Sequence, residues 1–413
     1  MKRKFYKEPS ITGLIFEKEA ELLPSVTELF ELELAYLERK AIPKKDFLEK
    51  TAFFKSFNGN PSKHYLLYSE QPEVITVDRS LATQNYFENG QFSTGYATHS
   101  LFPYRGKFHP QLIKGILNII GVKRGDTILD PMCGSGTTNI EAALMGIDSV
   151  ACDISPFCRL MTEVKYESLK IKKGDLENFK LNASELFKLF NNSKKTAELR
   201  SNYNPDEFRL INLARLAYLD AMGYANRVVS STHQQLYKKV LNRYFETVKN
   251  LISNPNFNAK SLGKVSIHQH AEALDLKIHP RSIDAIITSP PYSFAIDYVA
   301  NDKDQLEYLG HDIDNLKQKM IGLKGKSKDE KLKNYFNDME IYCSEISKVL
   351  KKGKIFVLII GSNTNQTGGV RLESKVIESA QKFQLNLVKT IIKPIKGIRN
   401  TMKDEHILFF EKS

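Results

Sequence analysis

Residues 127–146 read TILDPMCGSGTTNIEAALMG and place a short apolar strand, a glycine-rich turn and a helix in direct succession. The strand ends at Asp130, and Gly134 and Gly136 let the backbone of the turn pass close to a ligand. The N-terminus of the following helix offers unpaired N–H groups to the same ligand. A second strand ends at Asp153, where a carboxylate can accept hydrogen bonds from ribose hydroxyls. This combination predicts a nucleoside-binding unit.

Strands and helices alternate outside this unit, which predicts an α/β fold with a doubly wound, mostly parallel sheet. Seven strands are expected, at 127–130, 149–153, 264–268, 283–288, 354–360, 385–393 and 405–411. The last two should form a terminal antiparallel pair. Helices are expected at 28–39, ended by Pro43, at 111–120 and at 335–350. The segment 318–333 is expected to be a solvated, lysine-rich loop.

The composition favours a polyanionic partner. The 413 residues carry 60 Lys and Arg against 48 Asp and Glu, a formal net charge of +12, and neutralising phosphates releases condensed counterions. No apolar run is long enough to span a bilayer, and no secretory signal follows the basic N-terminus. The four cysteines show no metal-binding spacing, so we expect buried, reduced thiols in a cytoplasmic protein, with no metal.

The glycine-rich turn can be tested against several nucleoside cofactors. A dinucleotide fingerprint needs a third glycine where Asn139 stands, and a phosphate-binding P-loop needs a Gly-Lys-Ser/Thr that is absent. Asp130 at the opening of the turn can instead receive a cationic amino group such as that of S-adenosylmethionine. These features predict Asp130, Gly134, Gly136 and Asp153 as cofactor-binding residues.

A second constellation lies in IDAIITSPPYSFAIDY, residues 283–298, where a buried strand runs into Ser289, Pro290, Pro291 and Tyr292. The two prolines fix φ and remove donors, so backbone carbonyls around them are free acceptors. The Ser289 hydroxyl and the Pro290 carbonyl can accept both N–H hydrogens of an exocyclic amine on a nucleobase. Tyr292 can stack on a base that has been swung out of the duplex. We therefore predict methyl transfer by direct displacement, without a covalent intermediate.

DPMCGSGTT (130–138) and TSPPY (288–292) resemble the motifs of amino-group DNA methyltransferases, which make N4-methylcytosine or N6-methyladenine. The resemblance covers 98–153 and 264–413. It implies a Rossmann-like S-adenosylmethionine methyltransferase fold, with Pro131, Cys133, Ser135 and Thr137 as further cofactor-binding residues of the turn. It also implies a contact from Glu272 to the adenine amine of the cofactor and packing of YRGKFH (104–109) over its methionine end. Serine at position 289 resembles the cytosine-N4 enzymes.

The predicted organisation is an N-terminal extension, 1–90, which is a candidate for DNA contact, and a catalytic domain, 91–413. A helical insertion at about 160–262 interrupts the catalytic domain between the second and third strands, where the family pattern has none. The DNA-reading region is therefore open. Basic candidates in the insertion are Lys165, Lys170, Lys172, Lys173, Lys194, Lys195 and Arg200. Further candidates are the lysines of 317–333 and the set Lys389, Lys393, Lys396, Arg399 and Lys403.

The resulting prediction is a site-specific methyltransferase that moves a methyl group from S-adenosylmethionine to N4 of cytosine in double-stranded DNA. The resemblance implies the modification enzyme of a restriction–modification system, with a cognate restriction endonuclease as a candidate partner. Three alternatives stay open: an adenine-N6 DNA methyltransferase, an RNA base methyltransferase, and an inactive DNA-binding subunit.

Overall fold

The structure, a computed structural model, describes residues 11–69, 95–104, 106–179, 182–192, 202–225, 231–292, 297–362, 364–395 and 402–413. They form two compact units. The first comprises the described residues of Met1–Tyr96, His109–Gly121 and Asn254–Phe257, and the second those of Ala97–Phe108, Val122–Ser253 and Asn258–Ser413. The segment His109–Gly121 therefore groups with the N-terminal part, beyond the predicted boundary near residue 90.

The first unit contains short helices and a small antiparallel sheet. Its elements are α1 (Ile11–Ile15), β1 (Ala20–Leu22), α2 (Leu29–Ala41), α3 (Phe47–Lys50), β2 (Phe54–Phe57), β3 (Asn60–Pro61) and α4 (Pro110–Ile119). The strands follow the order β1–β2–β3. At the start of α2 the Glu31 carboxylate accepts the backbone N–H of Glu28 at 2.9 Å, and the helix ends before Pro43, as predicted.

A buried carboxylate connects the segments of the first unit. Glu38 of α2 accepts hydrogen bonds from the Thr51 hydroxyl, the Ala52 backbone N–H and the Asn118 amide of α4, each at 2.7 Å. Burial raises the pKa of Glu38, and these donors partly offset that effect. The helix α4 is thus fixed to α2 by a fully satisfied buried polar group.

The second unit is built on a seven-stranded sheet, which confirms the predicted fold class. Its strands are β4 (Thr127–Asp130), β5 (Asp148–Ala151), β6 (Val265–Ile267), β7 (Ile283–Thr288), β8 (Leu350–Gly361), β9 (Leu385–Pro394) and β10 (Asp404–Lys412). The order is β6–β5–β4–β7–β8–β10–β9. Strands β4 to β8 pair in parallel, and β10 is antiparallel to both β8 and β9. Two of the seven predicted strands, β4 and β7, have the predicted bounds.

Helices connect and cover these strands. They are α5 (Thr137–Leu144), α6 (Pro156–Ser168), α7 (Lys173–Glu177), α8 (Ala183–Asn192), α9 (Pro205–Ala225), α10 (His233–Ser253), α11 (Tyr298–Asn301), α12 (Lys303–Tyr308), α13 (Ile313–Lys319), α14 (Lys328–Val349), α15 (Thr364–Thr367) and α16 (Leu372–Lys382). Helix α6 starts where Pro156 presets the first turn and the Ser155 hydroxyl accepts the N–H of Cys158. All four cysteines are buried with free thiols.

Two apolar clusters form the core of the second unit. One joins the sheet to α14 and α16, with Leu129, Ile286 and Phe356 of the strands against Tyr342 and Ile346 of α14. The other lies among α6 and α8–α12 and includes most of the predicted helical insertion. The insertion is therefore a packed helical layer that contributes its own core.

The lysine-rich segment 318–333 is not a simple loop, so that prediction was wrong. Its beginning belongs to α13, and its end forms the first turns of α14. The Ser327 hydroxyl accepts the Glu330 N–H at 3.1 Å, which caps α14 and starts the helix seven residues before its predicted first residue, Tyr335. The alternation of lysine with glycine and serine concealed this cap.

Among the residues that the structure describes, no helix is both long and apolar enough to cross a membrane.

Candidate active site

The glycine-rich turn between β4 and α5 adopts a conformation that requires its glycines. Gly134 and Gly136 have φ of 49° and 78°, values that residues with a side chain rarely adopt. At Gly136 a Cβ atom would also lie 2.7 Å from Oγ1 and 2.8 Å from Cγ2 of Thr162 on α6. The turn is consequently packed closely against α6.

Asp153, directly after β5, holds this turn in place. Its two carboxylate oxygens accept the backbone N–H groups of Gly134, at 2.9 Å, and of Ser155, at 2.8 Å. Burial raises the pKa of Asp153, while these two N–H groups act in the opposite direction. The predicted ribose-binding acid is therefore also the residue that connects the turn to the start of α6.

Asp130 lies at the end of β4, as the sequence predicts, and is buried beneath the turn. It is 1% exposed, and its Oδ1 accepts the Thr288 hydroxyl at 2.8 Å and the Met132 N–H at 3.2 Å. Burial raises its pKa to about 7. Because the carboxylate connects β4 to β7 beneath the turn, the structure gives it a positioning role; direct receipt of a cationic amino group by Asp130 remains a prediction.

A cavity lies at the carboxyl ends of the parallel strands, where ligands bind in open α/β sheets. Its wall includes nine of the predicted site residues: Pro131, Cys133, Gly134, Ser135, Thr137, Asp153, Glu272, Ser289 and Pro291. The structure thus brings the cofactor turn and the start of the SPPY tetrapeptide to one space. Four predicted site residues are not on the wall: Asp130, Gly136, Pro290 and Tyr292.

The segment 104–108 forms another part of the wall, through Tyr104, Gly106, Lys107 and Phe108; Arg105 lies outside the described residues. The backbone N–H of Phe102 donates to the Tyr244 hydroxyl of the insertion at 2.6 Å. The helical insertion therefore anchors the chain two residues before this part of the wall begins.

The SPPY tetrapeptide forms a directed chain of hydrogen bonds. The Ser289 hydroxyl donates to the Tyr292 hydroxyl at 3.2 Å, and Tyr292 donates to Oε1 of Glu405 at 2.9 Å. The other oxygen of Glu405 accepts the ammonium of Lys393. The Tyr292 ring packs against the cluster around α14, so the structure does not place it on the cavity wall, where stacking on a base was predicted.

The sequence patterns do not indicate two further functional candidates, Glu405 and Asp302. Glu405 follows no local motif, since its partner Tyr292 lies 113 positions earlier in the chain. Asp302, on the wall of the cavity, is 7% exposed and makes no ion pair with any described residue. Burial, and then the nearby Asp153 charge, raise its pKa to about 7. Lys319, one of the lysines proposed from the sequence for DNA contact, lies on the same wall. No sequence pattern marks Asp302, which lies between α11 and α12.

The basic candidates for DNA contact include buried, ion-paired and exposed residues. Lys165 is 1% exposed, and burial lowers its pKa well below the usual range, so its prediction as a phosphate contact was wrong. Lys317 and Lys324 form ion pairs with Asp297 and Asp338. The exposed members of the lysine-rich segment are Lys319, Lys326, Lys328 and Lys333. Lys194, Lys195, Arg200, Lys396 and Arg399 lie outside the described residues.

Two family models match the sequence. A model of the RMKL-like methyltransferase domain matches residues 100–354, which is more than half of the chain. The chain belongs to this methyltransferase family. A model of the N6/N4 DNA methylases matches residues 14–163 of the methyltransferase. The resemblance to amino-group DNA methyltransferases and the assignment of S-adenosylmethionine as cofactor are thereby confirmed.

Three curated relatives extend the comparison. The type II methyltransferase M.BsoBI of Geobacillus stearothermophilus is 25% identical over 355 residues, covering 71% of this methyltransferase and 68% of M.BsoBI. M.MjaII of Methanocaldococcus jannaschii is 34% identical over 159 residues, 35% of this chain and 28% of its own. The tRNA (guanine(10)-N2)-dimethyltransferase of Methanothermobacter thermautotrophicus is 51% identical over 83 residues, 20% of this chain and 25% of its own.

Proposed function

We propose that this methyltransferase modifies N4 of cytosine in duplex DNA, as the modification enzyme of a type II restriction–modification system. The observation that carries the proposal is the position of Ser289, which reaches the cavity wall beside the cofactor turn. Its hydrogen is donated to Tyr292, so its oxygen has lone pairs available for an N–H donor in the cavity. The relatives that support the DNA assignment are M.BsoBI and M.MjaII.

The cavity has the charge that the cofactor needs. S-adenosylmethionine supplies an electrophilic methyl group on a sulfonium and also carries an ammonium. Asp153 and Asp302 bring two carboxylates to the wall, and Asp302 lacks an ion pair among the described residues. A bound cation stabilises both charged forms. Glu272 lies on the same wall, in keeping with a contact to the adenine amine.

The proposed roles on the substrate side are positional. An exocyclic amine is a weak nucleophile because its lone pair is delocalised into the ring. Ser289, together with the Pro290 carbonyl, accepts the two N–H hydrogens and directs the lone pair toward the methyl group. Pre-organised acceptors of this kind stabilise the positive charge that develops on the attacking nitrogen. No group on the cavity wall is required to form a covalent bond to the base.

A second candidate substrate is an RNA guanine. The sequence identity to a tRNA (guanine(10)-N2)-dimethyltransferase is 51% over a short stretch of 83 residues. Guanine N2 is also an exocyclic amine, and a serine acceptor could hold it. Duplex DNA is preferred because the N6/N4 DNA methylase model matches residues 14–163, a longer part of the chain than the 83 residues that match the tRNA methyltransferase.

The experiment that tests the proposal is methylation by the purified protein with radiolabelled S-adenosylmethionine, on duplex DNA and on unmodified tRNA in parallel. We expect label in the DNA, located on N4-methylcytosine after digestion to nucleosides. Label in tRNA alone would contradict the proposal, and label on N6-methyladenine would correct the base.

A further inference from the structure

The hydrogen-bond chain behind Ser289 has a fixed direction that follows from its last member. A carboxylate can only accept hydrogen bonds, and Glu405 receives one from Tyr292 and one from Lys393. The Tyr292 hydroxyl has a single hydrogen. Once that hydrogen is donated to Glu405, the oxygen of Tyr292 can only accept from Ser289.

Regular structure holds the acceptor end of this hydrogen-bond chain. Glu405 and Lys393 are directly opposite each other on the antiparallel strands β10 and β9. Their side chains are 18% and 26% exposed, so water competes little for the pair. Burial, and then the Glu405 charge, raise the pKa of Tyr292 well above its ordinary value, which keeps its hydroxyl protonated.

We propose that Glu405 is a positioning residue that makes Ser289 an obligatory hydrogen-bond acceptor toward the target amino group. It does so through Tyr292, without touching the substrate. The inference deepens the proposed function and rests on it. This arrangement makes the site selective for hydrogen-bond donors. Ser289 accepts a hydrogen bond from a substrate group that carries an N–H, and it has no hydrogen to donate to a substrate atom that carries only a lone pair.

The substitution Glu405→Gln tests the direction of the chain. Lys393 still needs an oxygen, so the glutamine carbonyl faces Lys393 and its NH2 group faces Tyr292. The Tyr292 hydroxyl then accepts a hydrogen bond from this NH2 group and donates its own hydrogen to Ser289. Ser289 as a result points its hydrogen at the target amine, which is itself a donor. We expect the single-turnover methylation rate to fall about 100-fold, the size of losing one pre-organised group, with unchanged affinity for S-adenosylmethionine.

The double variant Glu405→Gln with Tyr292→Phe separates direction from structure. Phenylalanine removes the hydroxyl that transmits the reversal, so Ser289 rotates freely. We expect Tyr292→Phe alone to lose roughly tenfold in rate, the worth of one hydrogen bond, and the double variant to match it. The second substitution should therefore rescue Glu405→Gln by about tenfold, whereas a purely structural role for Glu405 would make the double variant the slowest.

The matched control is Glu411→Gln, an exposed position on the same strand, which should keep the parental rate. Ser289→Ala separates the role of Ser289 itself from the role of Glu405. If Ser289→Ala is slow and Glu405→Gln is as fast as the parent, the inference is overturned and the proposed function stands. A double variant no faster than Glu405→Gln overturns it as well. If the parent methylates no exocyclic amine, both fail.

Discussion

The two sides of the cavity are built in contrasting ways. On the cofactor side, a contiguous stretch supplies the turn, and Asp153 reaches back only 19 positions to the Gly134 N–H. On the substrate side, Ser289 depends on Tyr292 and on Glu405, which is 113 positions further along. On the cofactor side, the Asp153 side chain fixes the backbone of the turn. On the substrate side, the Tyr292 and Glu405 side chains orient the side chain of Ser289. Substitutions on the cofactor side should change the affinity for S-adenosylmethionine. Substitutions on the substrate side should change the rate of methyl transfer.

The largest effect is expected on the substrate side. Ser289→Ala removes one acceptor for the target amine and should slow single-turnover methylation about 100-fold, or roughly 3 kcal/mol. Calorimetric affinity for S-adenosylmethionine should stay at the parental value. The control Ser282→Ala lies just before the opposite end of β7, where its hydroxyl donates to the carbonyl of His279, and should change neither quantity. Parental turnover in Ser289→Ala would remove SPPY from the catalytic machinery.

The next effect belongs to the cofactor side. In Asp153→Asn the amide NH2 would face one of the two backbone N–H groups that the carboxylate now accepts, so the turn should lose its position. We expect affinity for S-adenosylmethionine to fall by about 10- to 100-fold, corresponding to a charge-assisted hydrogen bond of about 1.5–3 kcal/mol. Asp148→Asn, at the other end of β5, also loses a carboxylate that accepts a backbone N–H and serves as control. Equal losses in both variants would argue for a general effect on β5.

A smaller effect is expected from pH. The pKa of Asp302 is raised to about 7, so its carboxylate ionises as the pH rises through neutrality. Since the charged form attracts a cationic cofactor, affinity for S-adenosylmethionine should rise between pH 6 and 8, by about tenfold at most if one charge-assisted contact is gained. Asp302→Asn should flatten this rise, and the exposed Asp314→Asn should keep it. Because Asp130 also has a pKa of about 7, the difference between parent and Asp302→Asn is the quantity to measure.

The smallest effect concerns contacts between DNA phosphates and exposed lysines of the segment 317–333. Replacing exposed Lys319 and Lys326 by Gln should weaken binding to all duplexes alike and reduce the slope of log affinity against log salt by about one unit per lost contact. Lys352→Gln, exposed near the start of β8, should leave the slope unchanged. Titration at several salt concentrations checks this, and an unaltered slope in the double variant would show that the lysines are only solvated.

The contrast between the two sides also explains what could be predicted. The alternation of strands and helices, the turn and its wall residues follow from local patterns, and the structure has them in the predicted order. Asp130 was predicted correctly at the end of its strand, but neither its burial nor the hydrogen bond that it accepts from Thr288, on another strand, has a local sequence signal. Lys165 was misread because a lysine inside an insertion gives no local sign of burial. Glu405 and Asp302 could not be found, since their roles arise only when distant segments meet.

The central claim is that the cavity methylates an exocyclic amino group of a DNA base, with Ser289 as the acceptor. Mass analysis of nucleosides from the DNA of cells that express the parent or Ser289→Ala tests it most directly. N4-methylcytosine should be present with the parent and strongly reduced with Ser289→Ala, at equal protein levels. Unmethylated DNA from cells with abundant, folded parent protein, or equal N4-methylcytosine with both proteins, would contradict the account.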